Sequence, residues 1–221
     1  MTLALPQWLC FDLDGTLVDS VPDITLSVNE MLVHLQLNIV DEEVARSWIG
    51  NGAAKLIERA LMHVLGGKPS SDLLEKAKSL FFIAYEKNIA VKTMIYPHCI
   101  EVLEHFTNLN IPLACVTNKP RKFTPPLLEK LAMAGYFKAV VCGDDLSTQK
   151  PEPEMLLEAV RQLGGETHAG FMIGDSETDI ATANSAGAGA IYVSYGYNRG
   201  VSVEKYQPIC VNSLKEIPQL F

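Results

Sequence analysis

From His98 onward the chain repeats one pattern: a short apolar run, a polar break, then apolar residues at helical spacing. The apolar runs are Ile111–Val116, Ala139–Cys142, Gly170–Ile173, Ala190–Val193 and Ile209–Val211. Helical stretches alternate with them: His98 to about Asn110, Lys122 to Ala134, Glu152–Leu163 and Thr178–Ala186, with Ser213 capping a last one. Trp8–Phe11 has the same unbroken apolar character near the N-terminus. A run that is apolar at every position suits a strand covered on both faces, and such strands joined by helices build a parallel sheet between two helical layers.

Between the first run and His98 the pattern is different. Pro22 opens a helix marked by Ile24, Val28, Met31, Leu32 and Leu35, and Asp41 stands as an N-cap before Val44, Ala45 and Trp48. Gly50-Asn51-Gly52 breaks that helix, Ala53–Leu65 forms a third, and Ser70 or Ser71 caps a fourth to about Asn88. The expected architecture is therefore α/β, a Rossmann-like parallel sheet from residues 1–18 and 93–221, with residues 19–92 inserted as an α-helical domain.

Polar residues gather where the strands end. Trp8–Phe11 runs into Asp12-Leu13-Asp14-Gly15, Ile111–Val116 into Thr117-Asn118, and Gly170–Ile173 into Gly174-Asp175. Ligands of open α/β sheets bind outside the carboxyl ends of the strands, so three such ends describe one site. If the first strand continues, Asp12 and Asp14 point the same way and repel, which invites a cation or a shared proton. Gly15 permits a tight exit and is expected to leave its backbone N–H open to an anion.

The composition narrows the partners. With 221 residues, 48% of them hydrophobic, there is material for a sizeable core. A formal charge of −8 argues against a nucleic-acid surface but not against a small anionic substrate, since a metal and a few local cations reverse the field inside a cleft. No run approaches a membrane span, and the start of the chain lacks a signal peptide's features, so the expected setting is cytoplasmic. The cysteines number five and lack CxxC spacing; Cys10, Cys115, Cys142 and Cys210 lie in apolar runs and read as reduced core residues.

These groups make up a phosphoryl-transfer kit. Asp12 would attack phosphorus to give an aspartyl-phosphate, and Asp14 would protonate the leaving alkoxide and then deprotonate the hydrolytic water. Mg²⁺ would sit between Asp12, the Asp14 backbone carbonyl and Asp175, screening the repulsion between Asp12 and the phosphoryl group. Thr117 and Asn118 offer donors to phosphate oxygens, or else simply cap the following helix. Lys150 before Pro151 is either solvated or an ammonium that reaches the phosphate and steadies Asp12. Asp179, one turn beyond Asp175, either supports the metal from behind its ligands or merely favours its helix dipole. No GxxxxGK[ST] segment is present, which removes P-loop chemistry.

Asp12-Leu13-Asp14-Gly15-Thr16, Thr117-Asn118, Lys150-Pro151 and Gly174-Asp175 with Asp179 resemble, in order and context, the four motifs of the haloacid dehalogenase superfamily. Asp14 places the resemblance on a phosphatase branch, because the dehalogenases lack that second acid. The helical insert resembles the family's small α-helical cap. Trp48-Ile49-Gly50-Asn51-Gly52, Glu58-Arg59-Ala60-Leu61, Thr117-Asn118-Lys119-Pro120, Gly143-Asp144-Asp145 and Tyr195-Gly196-Tyr197-Asn198 are similar to phosphoglycolate phosphatases. The resemblance implies Asp12 as nucleophile, Asp14 as acid/base, Thr117 and Lys150 on the phosphate, and Asp12, Asp14 and Asp175 on Mg²⁺, with Asp179 behind them. Glu177 departs from many relatives at a position expected to be exposed.

Phosphoglycolate carries a carboxylate, and the groups that read it are expected from the cap: backbone amides of Gly50-Asn51-Gly52, or a charge from Arg46, Lys55, Arg59 or Lys119. The helical insert is expected to close over the site, hinged near Asp19 and near Tyr96-Pro97. Rival activities on the same core are a β-phosphoglucomutase-like phosphotransferase, a phosphatase for another small ester or pyrophosphate, and a phosphonoacetaldehyde hydrolase with Lys55 as its Schiff-base amine. A non-catalytic binding module is a further alternative, which the full set of acids argues against.

Overall fold

A computed structural model describes residues 3–50, 52–198, 200 and 202–221. The chain divides into two compact units, Met1–Asp19 with Ile95–Phe221, and Ser20–Met94.

The first unit is built on a six-stranded sheet. Its strands are β1 (Trp8–Phe11), β4 (Leu113–Thr117), β5 (Phe137–Cys142), β6 (Gly170–Gly174), β7 (Gly189–Val193) and β8 (Ile209–Val211), and two short strands, β2 (Val18–Asp19) and β3 (Met94–Ile95), flank the insert in sequence. The sheet order is β5-β4-β1-β6-β7-β8, and every pairing in it is parallel. Trp8, Leu9, Cys10 and Phe11 are all fully buried, as a central strand covered on both faces requires. Trp8 and Cys10 share one face with Ala114, Val116, Val141 and Met172, and α7 (Glu154–Leu163) covers that face with Met155, Leu156, Ala159, Val160 and Leu163. That i, i+1, i+4, i+5, i+8 spacing is one helical stripe, each large member of which contributes roughly 1.5–3 kcal/mol on burial. Leu9 and Phe11 face the other way by strand alternation.

Several element ends differ from expectation for local reasons. After α5 (Cys99–Asn108), Pro125 and Pro126 set the start of α6 (Thr124–Lys130), which is shorter than the stretch 122–134, and Ala132 beyond it has a φ of 55°. Leu214–Leu220 is 3₁₀ rather than α, with Pro218 inside it removing a donor, and the Ser213 side chain makes no cap bond. Cys10, Cys99, Cys115 and Cys142 are buried free thiols, but Cys210 is exposed, because edge strand β8 turns that side chain outward.

The second unit holds α1 (Val21–His34), α2 (Glu42–Arg46), α3 (Gly52–Leu65) and α4 (Ser71–Asn88). Val28, Met31 and Leu32 of α1 and Phe81, Ala84 and Tyr85 of α4 are among its buried residues. Ser70 caps α4 by accepting the Leu73 N–H. Asp23, fully buried, accepts from the backbone N–H groups of Val91, Lys92 and Thr93 and from the Thr93 hydroxyl, tying the end of this unit to its beginning. No helix among the described residues is long and apolar enough to cross a membrane.

Candidate active site

Strand order decides which side chains meet. Because β1 lies between β4 and β6, the segments that follow Phe11, Val116 and Gly174 emerge side by side. Asp12 is fastened to this rim by its own N–H, which donates to the Ile173 carbonyl at 2.9 Å.

Asp12, Asp175 and Asp179 each present a carboxylate oxygen within 4.8 Å of the others, and all three are buried. Lys150 lies against two of them. Lys150 is 4% exposed, and its ammonium is 2.9 Å from Asp12 Oδ1 and donates to Asp179 Oδ1 at 2.6 Å and to the Val116 carbonyl at 2.8 Å. All three of its protons thus have acceptors, so its charge is directed at the acids. Burial alone would discharge this amine, but Asp12 and Asp179 outweigh that and push its pKa up.

Asn118 explains how Lys150 is aimed. Its side chain donates to the Lys150 carbonyl and accepts the Lys150 N–H, both at 3.0 Å. The amide expected to face a phosphate thus holds the Lys150 backbone with its oxygen and one of its two N–H donors. Thr117, next to it and 2% exposed, accepts the Lys119 N–H through Oγ1 at 3.2 Å.

Asp175 is held by two loops. Thr16 Oγ1 donates to Oδ1 at 2.8 Å and the Tyr197 N–H to Oδ2 at 2.6 Å. A Cβ on Gly15 would lie 2.4 Å from Asp175 Oδ2, and one on Gly196 would lie 2.3 Å from Asp175 Cβ. Both positions must therefore lack a side chain, and Gly15 also has a φ of 95°. Its N–H is not open to an anion as expected but donates to the Val18 carbonyl at 2.8 Å, closing the turn after Asp14. Tyr195 Oη donates to the Thr16 carbonyl at 2.6 Å and Tyr197 Oη to Asp19 Oδ1 at 2.8 Å, so the 195–197 segment braces the turn throughout.

Asp179 is fully buried, and its Oδ2 accepts from Ser176 N–H at 3.1 Å and Ser176 Oγ at 2.6 Å in a capping box at the start of α8 (Glu177–Ala186). Both its oxygens have donors, one from the helix cap and one from Lys150.

Asp14 is oriented separately. Its carboxylate lies outside the acid cluster and accepts from Lys119 Nζ with both oxygens, at 3.1 and 2.9 Å. The two acids of the motif thus answer to two different lysines.

The acid cluster carries more negative charge than Lys150 balances. Burial, with Asp179 adding to it against the pull of Lys150, pushes Asp12 up to about 7, and burial with Asp179 and Asp12 pushes Asp175 well above the carboxylate range. Crowded, water-excluded oxygen donors with one ammonium among three acids fit a small, hard divalent cation.

The other expected residues belong to the helical unit. Gly50 and Gly52 have φ of 112° and 79°, and Asn51 lies outside the described residues. Arg46 pairs with Glu42 at 3.2 Å and Lys55 with Glu58 at 2.9 Å as helix-surface pairs, while Arg59 donates to the Trp48 carbonyl at 2.7 Å. Glu177 pairs with Lys205 at 2.7 Å. Sequence reasoning gave no role to Thr16, to Gly196 or to the Tyr197 N–H. Only their presence inside matched motifs could have singled them out.

Residues 9–193 match the family of haloacid dehalogenase-like hydrolases. The chain is 40% identical over 219 residues to a phosphoglycolate phosphatase of Nitrosococcus oceani, covering 99% of this chain and 97% of that protein. It is 36% identical to a phosphoglycolate phosphatase of Yersinia pseudotuberculosis, with 92% and 87% covered. Among solved structures it resembles a predicted phosphoglycolate phosphatase from Haemophilus somnus at 31% identity and a TM-score of 0.91, with 98% and 99% covered.

Proposed function

The chain belongs to the haloacid dehalogenase-like hydrolases and is a phosphatase similar to phosphoglycolate phosphatases, and from that premise we propose that it hydrolyses 2-phosphoglycolate to glycolate and inorganic phosphate through a phosphoryl group carried on Asp12. The observation that carries this reading is the Asp12–Lys150–Asp179 chain of charges at the carboxyl end of the central strand, with Asp175 beside it.

An Asp12 oxygen attacks phosphorus, the bond from phosphorus to the ester oxygen breaks, and Asp14 gives its proton to the departing glycolate oxygen. Water then attacks the acyl phosphate, Asp14 takes a proton from it, and phosphate leaves with the Asp12 carboxylate restored. Lys150 favours the anionic, nucleophilic form of Asp12 against the burial that opposes it. Thr117 contributes its hydroxyl to the phosphoryl oxygens. Asp12 and Asp175, with the Asp14 carbonyl, would hold Mg²⁺, and Asp179 supports them by fixing Lys150. When bound, the ion supplies positive charge that offsets repulsion between the nucleophile and the phosphoryl oxygens. The inserted helical unit serves as the cap, with Gly50 and Gly52 offering backbone amides to the substrate.

The test is a phosphate-release screen over small phosphomonoesters, including glucose 1-phosphate, with and without Mg²⁺, on wild type and Asp12→Asn. Mg²⁺-dependent release, fastest from phosphoglycolate and abolished in Asp12→Asn, is the expected result. A Gly50→Ala/Gly52→Ala double variant with unchanged kcat/KM would remove the turn from the proposal and leave the chemistry standing.

A further inference from the structure

Lys119 is a buried ammonium with a pairing unlike that of Lys150. Its side chain is 4% exposed and sits on both oxygens of Asp14, whose own side chain is 14% exposed. The main chain around it is fastened: the Lys119 N–H reaches Thr117 Oγ1, and the Lys119 carbonyl accepts from the Gly143 N–H at 3.0 Å and the Thr124 hydroxyl at 3.3 Å. The ammonium is therefore delivered to one place beside the acid. Lys150 holds Asp12 from a fully enclosed position, whereas Lys119 meets an acid that retains contact with solvent.

In the reading above, Asp14 must turn an oxygen to the ester oxygen of the substrate. A carboxylate that engages one lysine with both oxygens cannot do so without loosening that grip. A buried ammonium deprived of its anion is costly unless another takes its place. In phosphoglycolate a single methylene separates the ester oxygen from a carboxylate, so a cation touching Asp14 is within reach of that group. The other cations considered for this task are engaged on the helical unit, with Glu42, Glu58 and the Trp48 carbonyl.

We propose that Lys119 is the specificity-determining residue of this site: it rests on Asp14 and exchanges that partner for a carboxylate borne one carbon from the ester oxygen, which selects carboxylated phosphomonoesters. This rests on the phosphatase reading and deepens it.

The test compares kcat/KM for 2-phosphoglycolate and for ethyl phosphate, which has no carboxylate, in wild type, Lys119→Met and Lys119→Arg with Mg²⁺. Wild type prefers phosphoglycolate. In Lys119→Met the ratio of the two constants falls by about 30-fold, the scale of one charged hydrogen-bonded contact, mainly through KM, and Lys119→Arg restores part of it. An unchanged ratio in Lys119→Met overturns the inference while the phosphatase reading stands. Failure of wild type to release phosphate from either ester overturns both.

A second measurement holds even if Lys119→Met does not fold. Calorimetric titration of both esters into Asp12→Asn and Asp12→Asn/Asp14→Asn compares binding with and without the resting partner's charge. Phosphoglycolate gains several-fold more affinity than ethyl phosphate from the second substitution; equal gains overturn the proposal.

Discussion

Asp12 and Asp14 are separated by one buried leucine, yet they occupy different electrostatic settings. Asp12 belongs to a closed network in which Lys150 satisfies two acids and a carbonyl at once, and Asp179 is in turn fixed by a helix cap. Asp14 meets Lys119 with both oxygens and stays partly open. In the proposed mechanism the contrast separates a nucleophile, which is held in one position, from a proton carrier, which must move. Local sequence does not make that distinction, since both acids come from the same turn.

The largest expected effects test it directly. Asp12→Asn lowers phosphate release by roughly four orders of magnitude or more whatever the ester, as removal of a nucleophile does. Asp14→Asn costs about 10²–10⁴-fold on an alkyl ester but far less on p-nitrophenyl phosphate, whose leaving group needs little protonation. Equal losses on both esters would mean that Asp14 does more than carry a proton.

Stability should divide along the same line. Lys150→Met leaves two buried carboxylates without their cation and is expected to cost about 3–5 kcal/mol in urea unfolding. Lys119→Met, beside a more open acid, should cost about 1–3 kcal/mol. Comparable values would erase the distinction between a closed and an exchangeable pair. Gly15→Ala comes next: the new methyl overlaps the Asp175 carboxylate at a φ of 95°, so roughly 1–3 kcal/mol is lost and the Mg²⁺ concentration for half-maximal activity rises.

A pH dependence follows from the same acid cluster. Burial lifts Asp12 from 3.8 to about 7, so the folded chain keeps a proton that the unfolded chain has released across that window. Proton linkage then makes the metal-free protein lose stability as pH rises from about 4 to 7. Mg²⁺ should raise the melting temperature more at pH 8 than at pH 5, because it favours the ionised carboxylates. A Tm shift from Mg²⁺ that is independent of pH would count against a raised Asp12.

The apolar runs are legible because burial on both faces leaves a composition signature, and their polar ends mark Asp12, Thr117 and Asp175 in the sequence itself. What was not legible depends on distant pairs. Asn118 reads as a phosphate donor or a helix cap until Lys150, 32 residues away, is seen to use both ends of its amide. Gly15 reads as an open N–H until Val18 closes the turn, and its need to be glycine comes from Asp175 and not from an anion. The Lys119–Asp14 pair spans 105 positions, and a lysine after a strand end carries no local sign of its partner. Cys210 shows the converse error, where an apolar run on an edge strand exposes one of its faces.

The chain leaves the sheet unit after Asp19 and rejoins it at Ile95, while every strand that frames the acids lies outside that interval. The proposed bond-breaking residues and the intervening helices are therefore contributed by separate stretches of chain. On the proposed mechanism, a transplant of another protein's helices between those two junctions should preserve the capacity to form a phosphoenzyme.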